Sequence, residues 1–191
     1  MKPSPKLKPN IQFETERFNG DKLVLIKNFL TDEECEIILS QDIHLKTAMV
    51  YRHDGVEEQQ EFHRKCLSAS FDLDWLDTKL ETIIDWPIQY AEKFQMMKYG
   101  VGDFFKPHSD YIDHLKEHNR IATLIMYLNT PKKGGETIFP IDRVKVSANK
   151  GDAVFFDYSK ERKVLHAGCR VVEGEKIILT KWFREEGYSK T

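Results

Sequence analysis

Between Lys98 and Arg184 the apolar residues come in short runs that turn signals repeatedly interrupt. The runs are Ile121 to Leu128, Thr137 to Phe139, Val144 to Val146, Ala153 to Tyr158, Val164 to Leu165 and Lys176 to Phe183. Pro131 to Gly135, Asn149-Lys150-Gly151-Asp152 and Glu173-Gly174-Glu175 separate them. Runs of this length, bounded by Gly, Pro, Asn and Asp, read as strands, and half a chain of them must close into a sandwich or a barrel. A jelly roll is the all-β solution that leaves a cavity between two sheets, with room for a metal at its mouth. At 191 residues the chain fits a single domain, 1–191, with a real core and no need of disulfides.

The N-terminal half supplies support. Leu23 to Phe29 reads as a strand, and Thr31-Asp32-Glu33-Glu34 is a capping box at a helix start. Ile37, Ile38 and Leu39, with Cys35 and Leu45, extend an apolar stripe to about residue 46, so this helix packs on one sheet. Asp74 to Phe94 has helical spacing (Trp75, Leu76, Leu80, Ile83, Ile84, then Ile88 and Ala91), and Pro87 splits it into two pieces. Met49 to Lys65 is polar and without period, a mobile loop, and Tyr111 to Asn119 is a second candidate lid. Residues 1–20 read as a flexible arm, since MKPSPKLKPN has neither a signal peptide's apolar core nor a membrane span. The expected architecture is mostly β with supporting α, a double-stranded β-helix (jelly roll) core over 96–184 with N-terminal helices on one sheet.

Composition excludes some partners. Charged residues make up 31% of the chain with a net charge of −2 and both signs interspersed, so no polybasic face offers itself to nucleic acid or membrane. Three cysteines, Cys35, Cys66 and Cys169, have neither metal-ligand nor framework spacing, and their odd number points to a reducing, cytoplasmic setting.

The chemistry concentrates on few residues. His108 and Asp110 are two positions apart, which in a strand puts both side chains on one face. With His166 from a neighbouring strand they make two histidines and one carboxylate, the facial ligand set of non-haem Fe(II) oxygenases, which leaves positions open for cosubstrate and oxygen. Lys176, ten residues after His166, is an anion hook. His53, His63, His114 and His118 receive no role.

Four segments carry a resemblance. Tyr99-Gly100-Val101-Gly102-Asp103-Phe104-Phe105-Lys106-Pro107-His108-Ser109-Asp110, then Arg120 to Asn129, then Gly134-Gly135-Glu136-Thr137, then Leu165-His166 through Lys176 closely resemble, in order, the prolyl 4-hydroxylase family of 2-oxoglutarate- and Fe(II)-dependent oxygenases. By position the resemblance implies that His108, Asp110 and His166 hold the iron. It implies that Lys176 pairs with the distal carboxylate of 2-oxoglutarate, that Tyr99 and Thr137 hydrogen-bond the same cosubstrate, and that Trp182 is an aromatic near the iron. The implied cofactors are Fe(II), 2-oxoglutarate and O2, with ascorbate an admissible reductant. The implied reaction releases succinate and CO2 and hydroxylates a C–H bond, foremost that of a prolyl residue in a peptide or protein. A free amino acid or small metabolite is the alternative substrate. Where family members carry Arg-Thr-Ser and a glycine, this chain reads Arg64-Lys65-Cys66-Leu67, so only Arg64 is carried over, as a substrate residue. Two other classes compete: a non-catalytic metal-binding jelly roll, and a zinc hydrolase using Glu136 as its base.

Overall fold

The computed structural model describes residues 4–51, 57–58 and 63–189. Strands β1 (Thr15–Phe18) and β2 (Leu23–Ile26) pair ahead of helix α1 (Asp32–Leu39). Short strands β3 (Lys46–Thr47), β4 (Val50–Tyr51), β5 (Glu57–Glu58) and β6 (Arg64–Lys65) lead into β7 (Leu67–Phe71) and helix α2 (Asp74–Ile83). Then follow β8 (Phe94–Tyr99), β9 (Phe104–His108), β10 (Arg120–Tyr127), β11 (Lys133–Gly134), β12 (Thr137–Phe139) and β13 (Val144–Val146). The last are β14 (Ala153–Asp157), β15 (His166–Gly168), β16 (Val171–Glu173) and β17 (Lys176–Arg184). A major sheet has the order β1-β2-β14-β10-β17-β8-β7-β3 and a minor sheet the order β13-β12-β15-β9-β6, the two layers of the expected jelly roll.

Strand alternation sorts the residues into two cores. On β17, Ile177, Leu179 and Phe183 face outward; they share one core with Cys35 and Ile38 of α1 and Leu76, Leu80 and Ile83 of α2. Ile178 and Trp182 face inward and share the second core, between the sheets, with Met97, Tyr99, Ile125, Tyr127, Phe139 and Phe156. The helices therefore support the major sheet from behind, as expected, and leave its inner face to the site. One outward residue is charged: Lys181, fully buried, pairs with Asp77 of α2 at 2.6 Å and lies 3.8 Å from the Phe94 ring centroid. A buried pair of this kind adds little net stability but fixes where the helix sits.

Several expectations need correction. Residues 4–18 are docked rather than a loose arm. Lys8 N–H donates to Ile83 O and Asp85 N–H to Lys6 O, both at 2.8 Å, and Ile11 and Phe13 pack against the outer core. Helix α1 stops at Leu39 and not near 46, because Ser40 Oγ and Gln41 Nε2 both donate to the carbonyl of Ile37 and so satisfy the helix end. Ile37 is half exposed and lies off the apolar stripe. Helix α2 ends before Pro87: Ile84 is already extended (φ −110°, ψ 128°), bridged to Leu7. The second helical piece is a single 3-10 turn, Ile88–Tyr90. The strand expected at Val164–Leu165 starts instead at His166. Within the expected loop 49–65, β4 pairs with β5 and β6 with β9, while residues 52–56 and 59–62 lie outside the described residues.

The capping box forms in both directions, Glu34 N–H to Thr31 Oγ1 at 3.1 Å and Thr31 N–H to Glu34 Oε2 at 2.8 Å. Thr31→Ala is expected to lower unfolding stability by about 1 kcal/mol, read as a lower urea midpoint at unchanged slope. No helix among the described residues is long and apolar enough to cross a membrane. All three cysteines are free thiols.

Candidate active site

His108 ends β9 and His166 begins β15, and the two are direct cross-strand partners in the minor sheet. Their ring centroids are 4.2 Å apart. Asp110 is not on the strand, as the i, i+2 argument supposed; the chain bends after His108, and Asp110 swings in beside the imidazoles. Its two oxygens lie 3.8 Å from His108 Nε2 and 3.6 Å from His166 Nε2. One nitrogen or oxygen from each of the three residues falls within 4.8 Å of the others. Each ligand is oriented from behind. His108 Nδ1 meets Lys106 O at 2.8 Å, His166 Nδ1 meets Val164 O at 3.4 Å, and Thr123 Oγ1 donates to Asp110 Oδ2 at 2.7 Å. Hydrogen bonds at both Nδ1 atoms leave the Nε2 lone pairs directed at the carboxylate, the arrangement of imidazole ligands.

Charge agrees with geometry. Burial, then the neighbouring His166, holds His108 well below the ordinary histidine range, so it is neutral. Burial opposes ionisation of Asp110, but the two imidazoles, Arg120 and the Thr123 hydroxyl outweigh it and keep the carboxylate ionised. Among the described residues, no lysine or arginine lies in ion-pair contact with Asp110. A buried carboxylate flanked by two imidazoles is the donor set of a divalent cation, and the residues fit Fe(II).

A cavity opens beside the triad, lined by Tyr99, Phe105, Ile125, Thr137, Lys176 and Trp182 among others. Its inner end is rich in donors. Lys176 is 2% exposed, and burial lowers its pKa to about 8. Its ammonium donates to Thr137 Oγ1 at 3.3 Å, and Tyr127 OH donates to the same oxygen at 2.8 Å. With two bonds already accepted, the Thr137 hydroxyl has its own proton left to donate. Tyr99, the cross-strand partner of Lys176, is kept protonated by burial, and its hydroxyl lies beside Met97 Sδ at 3.5 Å and beside Cys66 and Arg64. No carboxylate among the described residues pairs with Lys176.

A wider groove runs outward from the triad past Arg64, Gln95, Arg120, Trp182 and Tyr188. Arg64 borders both spaces. Its guanidinium donates to Cys66 Sγ at 3.2 Å and Met97 Sδ at 2.8 Å, and lies 4.8 Å from the Phe105 ring centroid. Glu136, the base required of a zinc hydrolase, lines neither space and pairs with Lys145 at 3.6 Å.

Known proteins match this arrangement. The profile of the 2OG-Fe(II) oxygenase superfamily matches residues 94–184. Prolyl 4-hydroxylase 5 of Arabidopsis thaliana is 32% identical over 85% of this chain and 68% of its own length. The chain belongs to the prolyl 4-hydroxylase family. As a 2OG-Fe(II) oxygenase it is a dioxygenase dependent on Fe(II), 2-oxoglutarate and O2. Its structure is similar to that of the viral collagen prolyl hydroxylase of Paramecium Bursaria Chlorella virus-1, solved with 2OG (27% identity, TM-score 0.62, 88% of this chain and 99% of that one). The fold also matches a Trichoplax adhaerens prolyl hydroxylase solved with a peptide fragment of hypoxia inducible factor (15% identity, TM-score 0.65, 88% and 86%).

Several residues of this oxygenase escape sequence reading. Thr123 is fully buried, holds Asp110 and meets Tyr158 OH at 2.8 Å. The signal for it was a single threonine inside the otherwise aliphatic and aromatic run Ile121 to Leu128. Phe105 stacks on His108 at 3.5 Å between centroids. Arg120 and Arg184 share Glu92, and the Arg120 guanidinium covers the Trp182 ring at 3.8 Å. Nothing in the local sequence marks these long-range pairs.

Proposed function

We propose that this oxygenase hydroxylates prolyl residues of a peptide or protein, with His108, Asp110 and His166 as the iron ligands and Lys176, Thr137 and Tyr99 as the seat of the cosubstrate's distal carboxylate. The observation that carries the reading is the donor cluster at the inner end of the cavity: an ammonium and two hydroxyls that meet no carboxylate among the described residues. A carboxylate completes it with charge-assisted hydrogen bonds. When bound, Fe(II) with 2-oxoglutarate and O2 supplies the oxidising power that yields succinate, CO2 and a hydroxylated carbon. The protein's part is placement. Lys106 O, Val164 O and Thr123 fix the ligands, Phe105 and Ile125 keep water from the cavity, and Trp182 forms the wall between cosubstrate and groove. Arg64, uncompensated by any carboxylate among the described residues, is assigned to the substrate side. The prolyl target rests on the relatives' activity, and a groove that runs openly outward from the triad suits a chain better than a metabolite. The odd cysteine count and the free thiols support a reducing, cytoplasmic setting.

Anaerobic titration of the metal-free protein with Fe(II) and then 2-oxoglutarate tests the site. A weak visible charge-transfer band that saturates, and that His166→Ala abolishes, is the expected result. Metal binding without a band would remove the cosubstrate assignment. Thr123→Val, which keeps the shape but not the hydroxyl, is expected to weaken Fe(II) binding by roughly 10- to 100-fold in direct metal titration. An unchanged affinity would show that Asp110 needs no such support.

A further inference from the structure

Two hydrogen-bond donors of the site converge on a sulfur. Met97 stands on the inner face of β8, two residues before Tyr99 and opposite Ile178 of β17. It is 4% exposed, and its side chain lines the cavity beside the triad together with Arg64 and Tyr99. Arg64 Nη2 reaches Met97 Sδ at 2.8 Å from the minor sheet, and the Tyr99 hydroxyl reaches it at 3.5 Å from the same strand. A thioether is a weak acceptor, so a guanidinium and a phenol are poorly matched to it. Packing alone does not call for sulfur here, because leucine and methionine exchange in apolar cores at little cost. One chemical change makes the surroundings fit. A sulfoxide carries a polar, strongly accepting oxygen on the same atom, and here that oxygen would find a charged donor and a hydroxyl already in place.

We propose that Met97 is a site of oxidation by hydrogen peroxide, and that its sulfoxide shuts the active site by engaging Arg64 and Tyr99. In the step, a sulfur lone pair attacks one peroxide oxygen, the O–O bond breaks and an S–O bond forms. The departing oxygen takes the proton of the attacked one and leaves as water. Thioether and hydrogen peroxide thus give sulfoxide and water, with sulfur oxidised by two electrons and the peroxide reduced by two. The oxidant enters through the cavity whose wall Met97 forms. Met96 and Met126 lie in the outer core behind the major sheet, away from that entry. Cys66 is as buried as Met97, but burial keeps its thiol protonated, which is the unreactive form. The effect on turnover rests on the roles proposed above for Tyr99 and Arg64. A sulfoxide that accepts from the Tyr99 hydroxyl withdraws it from the cosubstrate carboxylate, and one that accepts from Arg64 holds that guanidinium away from the substrate. Methionine sulfoxide is enzymatically reducible, so the mark can be erased.

The test treats the full chain, metal-free so that no iron meets the oxidant, with hydrogen peroxide. After the peroxide is removed, each methionine is read by peptide mass spectrometry, and Fe(II) and 2-oxoglutarate are titrated in anaerobically. One added oxygen is expected at Met97, and another at Met49, which is 40% exposed, while Met96 and Met126 stay unmodified. The charge-transfer band is expected to need about 10-fold more 2-oxoglutarate than before treatment, the worth of one hydrogen bond to a charged group. Met49→Leu shows the same rise, whereas Met97→Leu, compared with its own untreated form, shows none. Oxidation at Met97 no faster than at Met96 and Met126 overturns the site. A rise that persists in Met97→Leu does the same, as does one that dithiothreitol reverses, since that reports a cysteine. An oxidised Met97 with an unmoved 2-oxoglutarate requirement overturns the shut-off and leaves the cosubstrate reading standing. No band in the untreated protein removes that reading, and the shut-off falls with it.

Discussion

Replacing Lys176 with methionine is expected to raise the 2-oxoglutarate concentration for half-maximal turnover by about 100-fold or more and, at the same time, to make the ligand-free protein more stable. The first effect follows from burial: removing one partner of a buried ion pair leaves the other charge uncompensated, at about 3 to 5 kcal/mol. The second has the same cause. Burial holds the lysine pKa at about 8, below its ordinary 10.5, so the fold opposes the charged form. The unfolded chain then binds more protons than the folded one between those values. The penalty is fully present below pH 8 and is relieved as pH rises through 8 toward 10.5. Near neutral pH it is worth about 3 kcal/mol on the scale of 1.36 kcal/mol per pKa unit, which the apolar, similarly sized methionine removes. Thermal unfolding without cosubstrate measures this, and a lower Tm in Lys176→Met would refute it. In the wild type, 2-oxoglutarate affinity is expected to hold steady below pH 8 and to weaken by up to tenfold per pH unit above it.

Asp110→Ala should abolish turnover, with residual activity at least about 10³-fold lower, the scale on which a central electrostatic element of an active site is lost. The fold should persist. Val24, Leu124, Phe155 and Leu179 pack with the helices behind the major sheet, on the face away from the triad, and the variant relieves a buried negative charge. Circular dichroism and a urea midpoint at or above the wild-type value, together with lost Fe(II) binding, is the expected pairing. Activity near wild type would remove Asp110 from the metal. Unfolding would instead show that this carboxylate is structural.

The two cores were readable because period 2 is visible wherever a strand is long, as in Lys176 to Phe183. The site was readable because His108, Asp110, His166 and Lys176 keep the family's order and spacing along the chain, even though Asp110 lies past the end of β9. What sequence could not show depends on which strand lies beside which. Thr180, Gln95 and Ser70, for example, are cross-strand neighbours from segments 25 and 85 residues apart, and only the register of β8 with β17 and β7 brings them together. The docked N-terminal segment was missed for a related reason: its lysines and prolines look solvated, while the contacts that hold it are backbone hydrogen bonds to Ile83 and Asp85. The end of α2 was placed at Pro87 by a local rule, but a distant partner, Leu7, ended it earlier.

Thr137 belongs to the minor sheet, as do His108 and His166, whereas Lys176 and Tyr127, which both bond to its hydroxyl, belong to the major one. A diacid held at one end by the triad and at the other by Lys176 would be stretched across the gap between the layers. The thickness of the sandwich then acts as a gauge of acid length. A core substitution that spread the sheets, even one far from any ligand, would change which diacid reaches both ends, so the packing of Phe139 against Phe156 at 5.2 Å is also a setting of cosubstrate choice.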